Sequence, residues 1–362
     1  MLAFDRMLKS LRSRLGTPGE SRAGAEPDDP TPFLRRIDEL NRLNRTERSL
    51  ERERELLQLR HSAGAAQVRE NRPPPADPER QFPGTDADGL AAVAADELDG
   101  ALVRGGIRAH GYVLAPGLVE RAEALQMAER IDAAFAARAA GAAGDGRDGL
   151  YEEFSPDPPY SEIAGRSWIT AGGGLLAADS PALMYEMLDL FERIGLRRVI
   201  GEFLAEPITV SVQKCTLRKA NPGPPGGWHQ DGSFMGETRA LNVWVALSDC
   251  GVDAPGLDFV PRRIDDLLDT GGEGSGAEHL ERPSGDEVSP KTVLVAPETA
   301  EKAAGELGVV RPPLQAGDVM LFDDRFLHRT GSAPEMPNPR FAIESWFFGA
   351  SGFPRDYVPL AF

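Results

Sequence analysis

The chain has 362 residues, 41% of them hydrophobic, and a formal charge of −17 from 57 acidic against 40 basic side chains. That size and apolar content allow one large domain or two small ones with a substantial core, and the acidic balance argues against a nucleic-acid partner, whose phosphates it would repel. Two cysteines, Cys215 and Cys250, exclude a disulfide framework and a thiolate zinc site, and with no bilayer-length apolar run or secretion signal a cytoplasmic location is expected.

Residues 1–16 place Phe4, Met7, Leu8, Leu11 and Leu15 on one helical face amid Arg and Lys, a small basic amphipathic helix. Docking on its own protein is the plainer reading of such a helix, so membrane contact is not expected. Residues 17–32 read as linker, and 33–60 as a helix in which Leu43, Leu50 and Leu57 stand seven apart amid Arg and Glu. That helix is either a solvated, charge-laced arm or an element for homodimerisation or docking a protein partner. A proline-rich stretch, 71–85, closes this N-terminal helical extension (residues 1–85) and leaves 86–362 as the main domain.

From residue 86 the texture changes, with helical patterns at 86–104, 117–139 and 181–204, the last opening on Ser180 as cap and Pro181 in the first turn. After Pro207 short period-two runs follow at 208–219, 241–248, 257–261, 292–296, 318–322 and 341–348, separated by Gly and Pro clusters. Many short strands with turn punctuation predict a mainly β sandwich or barrel with flanking helices. In 241–248, Leu241, Val243, Val245 and Leu247 alternate with Asn242, Trp244, Ala246 and Ser248, so one face is core and the other is free to meet a ligand. The acidic, glycine-rich stretch 265–316 is too long for an ordinary connection and reads as an inserted loop or lid.

In GGWHQDG, His229 and Asp231 are two apart, so on an extended chain both leave from one face and can share a metal ion. His328 follows the apolar run Val319–Phe322 and supplies a third ligand. Two imidazoles and one carboxylate suit iron(II), because open positions remain for a keto acid and for dioxygen. Arg340, opening the next strand, can grip the far carboxylate of 2-oxoglutarate through two parallel hydrogen bonds, and Thr330, two residues after His328, can add a hydroxyl. A lone strand histidine is usually a hydrogen-bonded core residue and a lone arginine a surface cation; it is the combination that points to a metal site. His61, His110 and His279 lack such company and read as solvated.

These residues carry a resemblance to the phytanoyl-CoA dioxygenase family, through GIRAHGYVLAPG near residue 106, GGWHQDGSF, ALNVWVALSDCGVDAPGLDFVPRR and GDVMLFDDRFLHRTGSAPEMPNPRFAIESWFF. The resemblance runs from about 100 to 350. It implies a double-stranded β-helix of the jelly-roll, cupin-like kind, iron held by His229, Asp231 and His328, and 2-oxoglutarate anchored by Arg340. It also implies that Gln213 and Trp244 line the co-substrate pocket. Family halogenases replace the carboxylate ligand by a small residue, so Asp231 favours hydroxylation over halogenation.

The expected activity is therefore that of an iron(II), 2-oxoglutarate and O2 dependent oxygenase. It would hydroxylate a small molecule, whether a secondary metabolite, an amino-acid derivative or an acyl compound, with release of succinate and CO2. Desaturation or rearrangement would use the same triad. Trp228, Phe234 and Trp244 are candidate cavity walls that could equally be plain core. Two rivals stand beside this reading: a jelly-roll metal enzyme that does not use 2-oxoglutarate, and a silent scaffold acting through its N-terminal arm.

Overall fold

The computed structural model describes residues 29–69, 80–141, 148–157, 166–236, 238–271, 293–354 and 356–362. The basic helix expected at 1–16, most of the proline-rich stretch and the heart of the acidic insertion, with His279, lie outside them.

The chain opens with a helical hairpin, α1 (Thr31–Thr46) and α2 (Leu50–Arg69), followed by α3 (Gly100–His110), β1 (Tyr112–Ala115) and α4 (Arg121–Ala140). Then come α5 (Arg166–Ala171), β2 (Gly174–Leu176), α6 (Pro181–Arg193) and α7 (Leu196–Leu204). The strands β3 (Ile208–Ala220), β4 (Trp228–His229), β5 (Ala240–Ala246) and β6 (Gly256–Phe259) follow, with the short α8 (Gly232–Met235) after β4. The remainder is β7 (Leu294–Val295), α9 (Pro297–Ala304), β8 (Val319–Phe322), β9 (His328–Gly331), β10 (Arg340–Gly349) and β11 (Pro359–Ala361).

Among the described residues the strands form two antiparallel sheets. The larger runs β1-β8-β5-β10-β3-β11 with β2 also on β3, and the smaller runs β6-β9-β4-β7. Their inner faces meet through aromatic rings, with Tyr112 of β1 edge-on to Phe259 of β6 at 4.8 Å and Phe322 of β8 lying 5.2 Å from the His328 ring of β9. The outer face of the large sheet is covered by helices: Phe191 of α6 packs on Phe347, and Cys215 and Ser345 both reach the Met187 sulfur. Burial on both faces explains why β5 is buried along its whole length although its inner face carries Asn242.

Helix boundaries depart from the periodicity in three places, the first being that the single helix expected over 33–60 is the hairpin α1–α2, broken at 47–49. Residues 86–99 are not helical apart from one turn at Ala95–Glu97, because Asp86 accepts from the backbone N–H of Asp88 and Leu90 in a tight turn. The helix starts only after Asp99, whose carboxylate caps Leu102 N at 2.7 Å. The pattern at 181–204 is two helices, broken at Gly195, whose φ of 80° is open to glycine at little cost. Ser180 precedes the first of them but does not cap it with its side chain; its hydroxyl donates to Leu150 O instead.

Helix α2 lies along β11, the last strand of the large sheet, and so shields a row of backbone groups that would otherwise be an open edge. Arg60 Nη1 donates to Ala361 O at 2.8 Å and His61 Nδ1 to Pro359 O at 3.1 Å. His61 is thus 2% exposed rather than solvated, since the helix carrying it is laid against the sheet. The approach is close enough that a Cβ on Gly64 would stand 2.9 Å from the backbone of Pro359 and Ala361. The three spaced leucines do not form one stripe: Leu43 on α1 is 38% exposed, the chain turns before Leu50, and Leu57 on α2 is 4% exposed in the main core.

Candidate metal centre

His229 ends β4 and faces His328 at the start of β9, directly across an antiparallel pair, with ring centroids 4.5 Å apart. Asp231 joins them, and one ligand atom from each of the three lies within 4.8 Å of the other two. The convergence is not produced by an extended His-x-Asp segment. The strand stops at His229, and Asp231 has helical dihedrals, φ −63° and ψ −23°, so a turn into α8 swings its carboxylate round. Gln230, fully buried between the two ligands, fixes that turn. Its Nε2 donates to Asp266 O and Arg325 O, and its Oε1 accepts from Leu268 N at 2.8 Å.

Both imidazoles are set for binding through Nε2. His229 Nδ1 is 3.0 Å from Gly227 O and His328 Nδ1 is 3.0 Å from Phe326 O; a carbonyl can only accept, so each Nδ1 carries the proton and each neutral Nε2 keeps its lone pair. Burial, with the neighbouring His229, pushes the His328 pKa down to about 4, so the ring is neutral near pH 7. For Asp231 burial works upward, but Lys214 and the two imidazoles outweigh it and bring the carboxyl to about 2. Lys214 Nζ holds Asp231 Oδ1 at 3.0 Å, whereas Oδ2, 3.8 Å from His328 Nε2, is buried with no hydrogen-bond partner among the described residues. An orphaned buried carboxylate oxygen facing two free imidazole nitrogens is what a divalent ion would satisfy, so the donor set fits a metal of the iron or zinc type.

Arg340 opens β10 and is 3% exposed. Its Nη1 donates to Gly256 O at 2.9 Å and its guanidinium lies 5.4 Å from the Trp244 ring centroid, while Nε has no partner among the described residues. Burial lowers its pKa, and among the described residues no ion pair compensates the charge. A buried cation with no ion pair, bonded to β6 beside the strand that carries His328, is a receptor for an anion. Thr330 stands opposite Leu257 on β9, on the face of His328 by alternation. Gln213 is turned elsewhere: its Oε1 accepts from Val358 N at 2.9 Å and its Nε2 reaches Asp356 O, so it ties β3 to the C-terminal segment. Its neighbour Lys214 is the residue that β3 presents to the triad.

Among the candidate walls, Phe234 stands edge-on to His229 at 5.9 Å with the Lys214 ammonium 4.6 Å from its ring centroid. Trp244 lies under Arg340. Trp228 belongs to a separate apolar cluster with Val260, Val295 and Leu327, its ring under Arg329 at 4.6 Å, so it is core on the side away from His229. The wall behind His328 is instead Phe326, stacked at 5.4 Å, and Phe322. Sequence reading passed over Lys214, Arg218 and Glu344. The available signal was a charged residue at alternate positions of otherwise apolar strands.

Two antiparallel sheets enclosing two histidines, one carboxylate and a buried arginine define a protein able to hold one metal ion and an anionic ligand in its interior. The chain belongs to the phytanoyl-CoA dioxygenase family, whose model matches residues 107–333, a stretch that contains the three histidine and aspartate positions and ends before Arg340. Among curated protein sequences no relative matches. Similar solved structures include EctD from S. alaskensis with 2-oxoglutarate and 5-hydroxyectoine, 17% identical over 78% of this chain and 84% of that one, TM-score 0.46. The epimerase SnoN, in complex with Fe3+, alpha ketoglutarate and nogalamycin RO, is 19% identical over 68% and 82%, TM-score 0.40. EvdO2 from Micromonospora carbonacea var. aurantiaca, complexed with 2-oxoglutarate, is 16% identical over 72% and 91%, TM-score 0.42.

Proposed function

We propose that this chain is a non-haem iron(II), 2-oxoglutarate dependent oxygenase, built on a double-stranded β-helix and acting on a small molecule, with hydroxylation as the outcome. The observation that carries the reading is the coincidence, in one interior, of the orphaned Asp231 Oδ2 between two Nε2 lone pairs and the buried, uncompensated Arg340. His229, Asp231 and His328 would hold the metal, and Arg340, with Thr330 and Trp244 beside it, would hold the far carboxylate of 2-oxoglutarate. Bound there, iron(II) and the keto acid supply the oxidising power that couples cleavage of O2 and loss of CO2 to removal of hydrogen from a substrate.

The protein's own residues act by holding and excluding. Lys214 fixes one oxygen of Asp231 so that the other is presented singly, and Gln230 locks the turn that carries it. The Phe326 and Phe322 rings keep water from the inner side of His328, which preserves its neutral, ligating form. The Asp231 carboxylate fills the position that a halide would need, which favours oxygen transfer.

The test is to add iron(II) to the metal-free protein under anaerobic 2-oxoglutarate and record the visible charge-transfer band of a chelated keto acid. A band is expected. Metal binding without a band would favour a metal enzyme that does not use 2-oxoglutarate, and no metal binding would favour a scaffold.

A further inference from the structure

The inner wall opposite the triad is charged where an acyl-binding cavity would be apolar. Glu344 of β10 sits between Thr216 of β3 and Trp244 of β5 in register, at the level of the metal centre, within electrostatic reach of Asp231, Lys214 and His328. Arg218, one alternate position along β3, donates Nε to Glu344 Oε2 at 2.9 Å and Nη1 to Gly172 O at 3.3 Å. Each side chain of this pair is 20% exposed. Glu344 Oε1 and Arg218 Nη2 take no hydrogen bond among the described residues. On the same inner face Thr216 Oγ1, both amide atoms of Asn242 and Trp346 Nε1 are buried without partners among the described residues.

An aliphatic chain laid here would desolvate the Arg218–Glu344 ion pair and leave Glu344 Oε1, Arg218 Nη2 and the neutral polar atoms beside them without hydrogen bonds, which is unfavourable. A cation and an anion held side by side, each with one free hydrogen-bonding position, match a ligand carrying both charges. The charge count weighs against a polycation. Lys214, Arg218 and Arg340 against Asp231 and Glu344 leave one positive charge, and a divalent metal with a dicarboxylate cancel each other. A neutral zwitterion leaves that balance unchanged, whereas a polycation worsens it. A polyanionic thioester meets a protein of formal charge −17.

We propose that the substrate is a small zwitterion whose ammonium group is bound by Glu344 and whose carboxylate is bound by Arg218, making this pair the specificity determinant of the chamber. The proposal rests on the oxygenase reading above. The experiment uses the full chain loaded anaerobically with iron(II) and 2-oxoglutarate, so that the charge-transfer band of the wild type checks that reading first. The twenty proteinogenic L-amino acids and, separately, myristoyl-CoA are then titrated and the shift of the band is followed.

The expected result is a saturable shift with one or more amino acids. Tenfold or weaker binding is expected for the matching amine without its carboxylate, for Glu344→Gln and for Arg218→Met. Two variants are used so that loss of folding in one leaves the other informative, and a retained band with 2-oxoglutarate alone certifies each. A response to myristoyl-CoA and to no amino acid overturns the proposal, as does no response to either, or wild-type affinity in both variants. No band in the wild type overturns the oxygenase reading itself, and this inference with it.

Discussion

Replacing Arg340 by methionine separates a structural arginine from a ligand anchor. In the ligand-free protein this guanidinium has one hydrogen bond, to Gly256 O, a face-on contact with Trp244, an unpartnered Nε and no ion pair among the described residues. Methionine keeps much of the stem's packing and removes a charge whose burial is itself unfavourable, so the loss of one hydrogen bond is largely offset and stability should change by no more than about 1 kcal/mol. Ligand binding should respond far more. Two parallel charge-assisted hydrogen bonds of about 1.5 kcal/mol each amount to roughly 3 kcal/mol, or about 100-fold in Kd. Calorimetric titration of 2-oxoglutarate into the anaerobic iron(II) protein, beside a thermal melt, measures both. Arg340→Lys, which keeps the charge without the fork, should fall between, near 10-fold weaker by rough estimate. If Arg340→Met binds 2-oxoglutarate within about threefold of wild type, or loses its fold, the anchor assignment is wrong.

Two further substitutions probe the frame around the site. Gly64→Ala in a helix would ordinarily stabilise by about 1 kcal/mol. Here the new Cβ would stand 2.9 Å from the Pro359 and Ala361 backbone, so α2 must shift off β11 and a net loss of about 1–3 kcal/mol is expected in thermal or urea unfolding; an unchanged or higher Tm would show that the contact is soft. Asp324 is raised to about 6, by burial first and by Asp323 second, against an ordinary 3.8. A carboxyl raised in the folded state favours folding in its protonated form, so that contribution is complete below about pH 4 and is lost as pH rises through about 6, at most about 3 kcal/mol. Asp324→Asn should flatten stability between those pH values and exceed wild type at pH 8, and a variant weaker than wild type at pH 8 would contradict this sign.

Much of the site was legible in the residues. The types and order of His229, Asp231, His328 and Arg340 state a chemistry, because two imidazoles, a carboxylate and a forked cation have few joint uses. Period-two alternation located β3, β5, β8 and β10 within a residue or two. Boundaries set by local side-chain bonds were less visible: the Asp86 turn, the Asp99 cap and the Gly195 break each end a helical pattern that hydrophobic spacing would have continued.

Composition and spacing thus determined the strand-rich core and the ligand set, since both follow from side-chain chemistry and its period along the chain. Only tertiary structure decided which way those side chains turn and what stands across from them. Gln213 was lost to the C-terminal segment and Lys214 gained by the triad in the stretch where the pairing of β3 with β10 shifts register, between the Cys215–Ser345 and Val210–Phe347 pairs. Asp231 reached the imidazoles through a turn held by Gln230, and His61 was buried because a helix far away in sequence lies on the last strand. Glu344 acquired its place opposite the metal centre from pairing β10 between β3 and β5, a non-local register that no window of sequence contains.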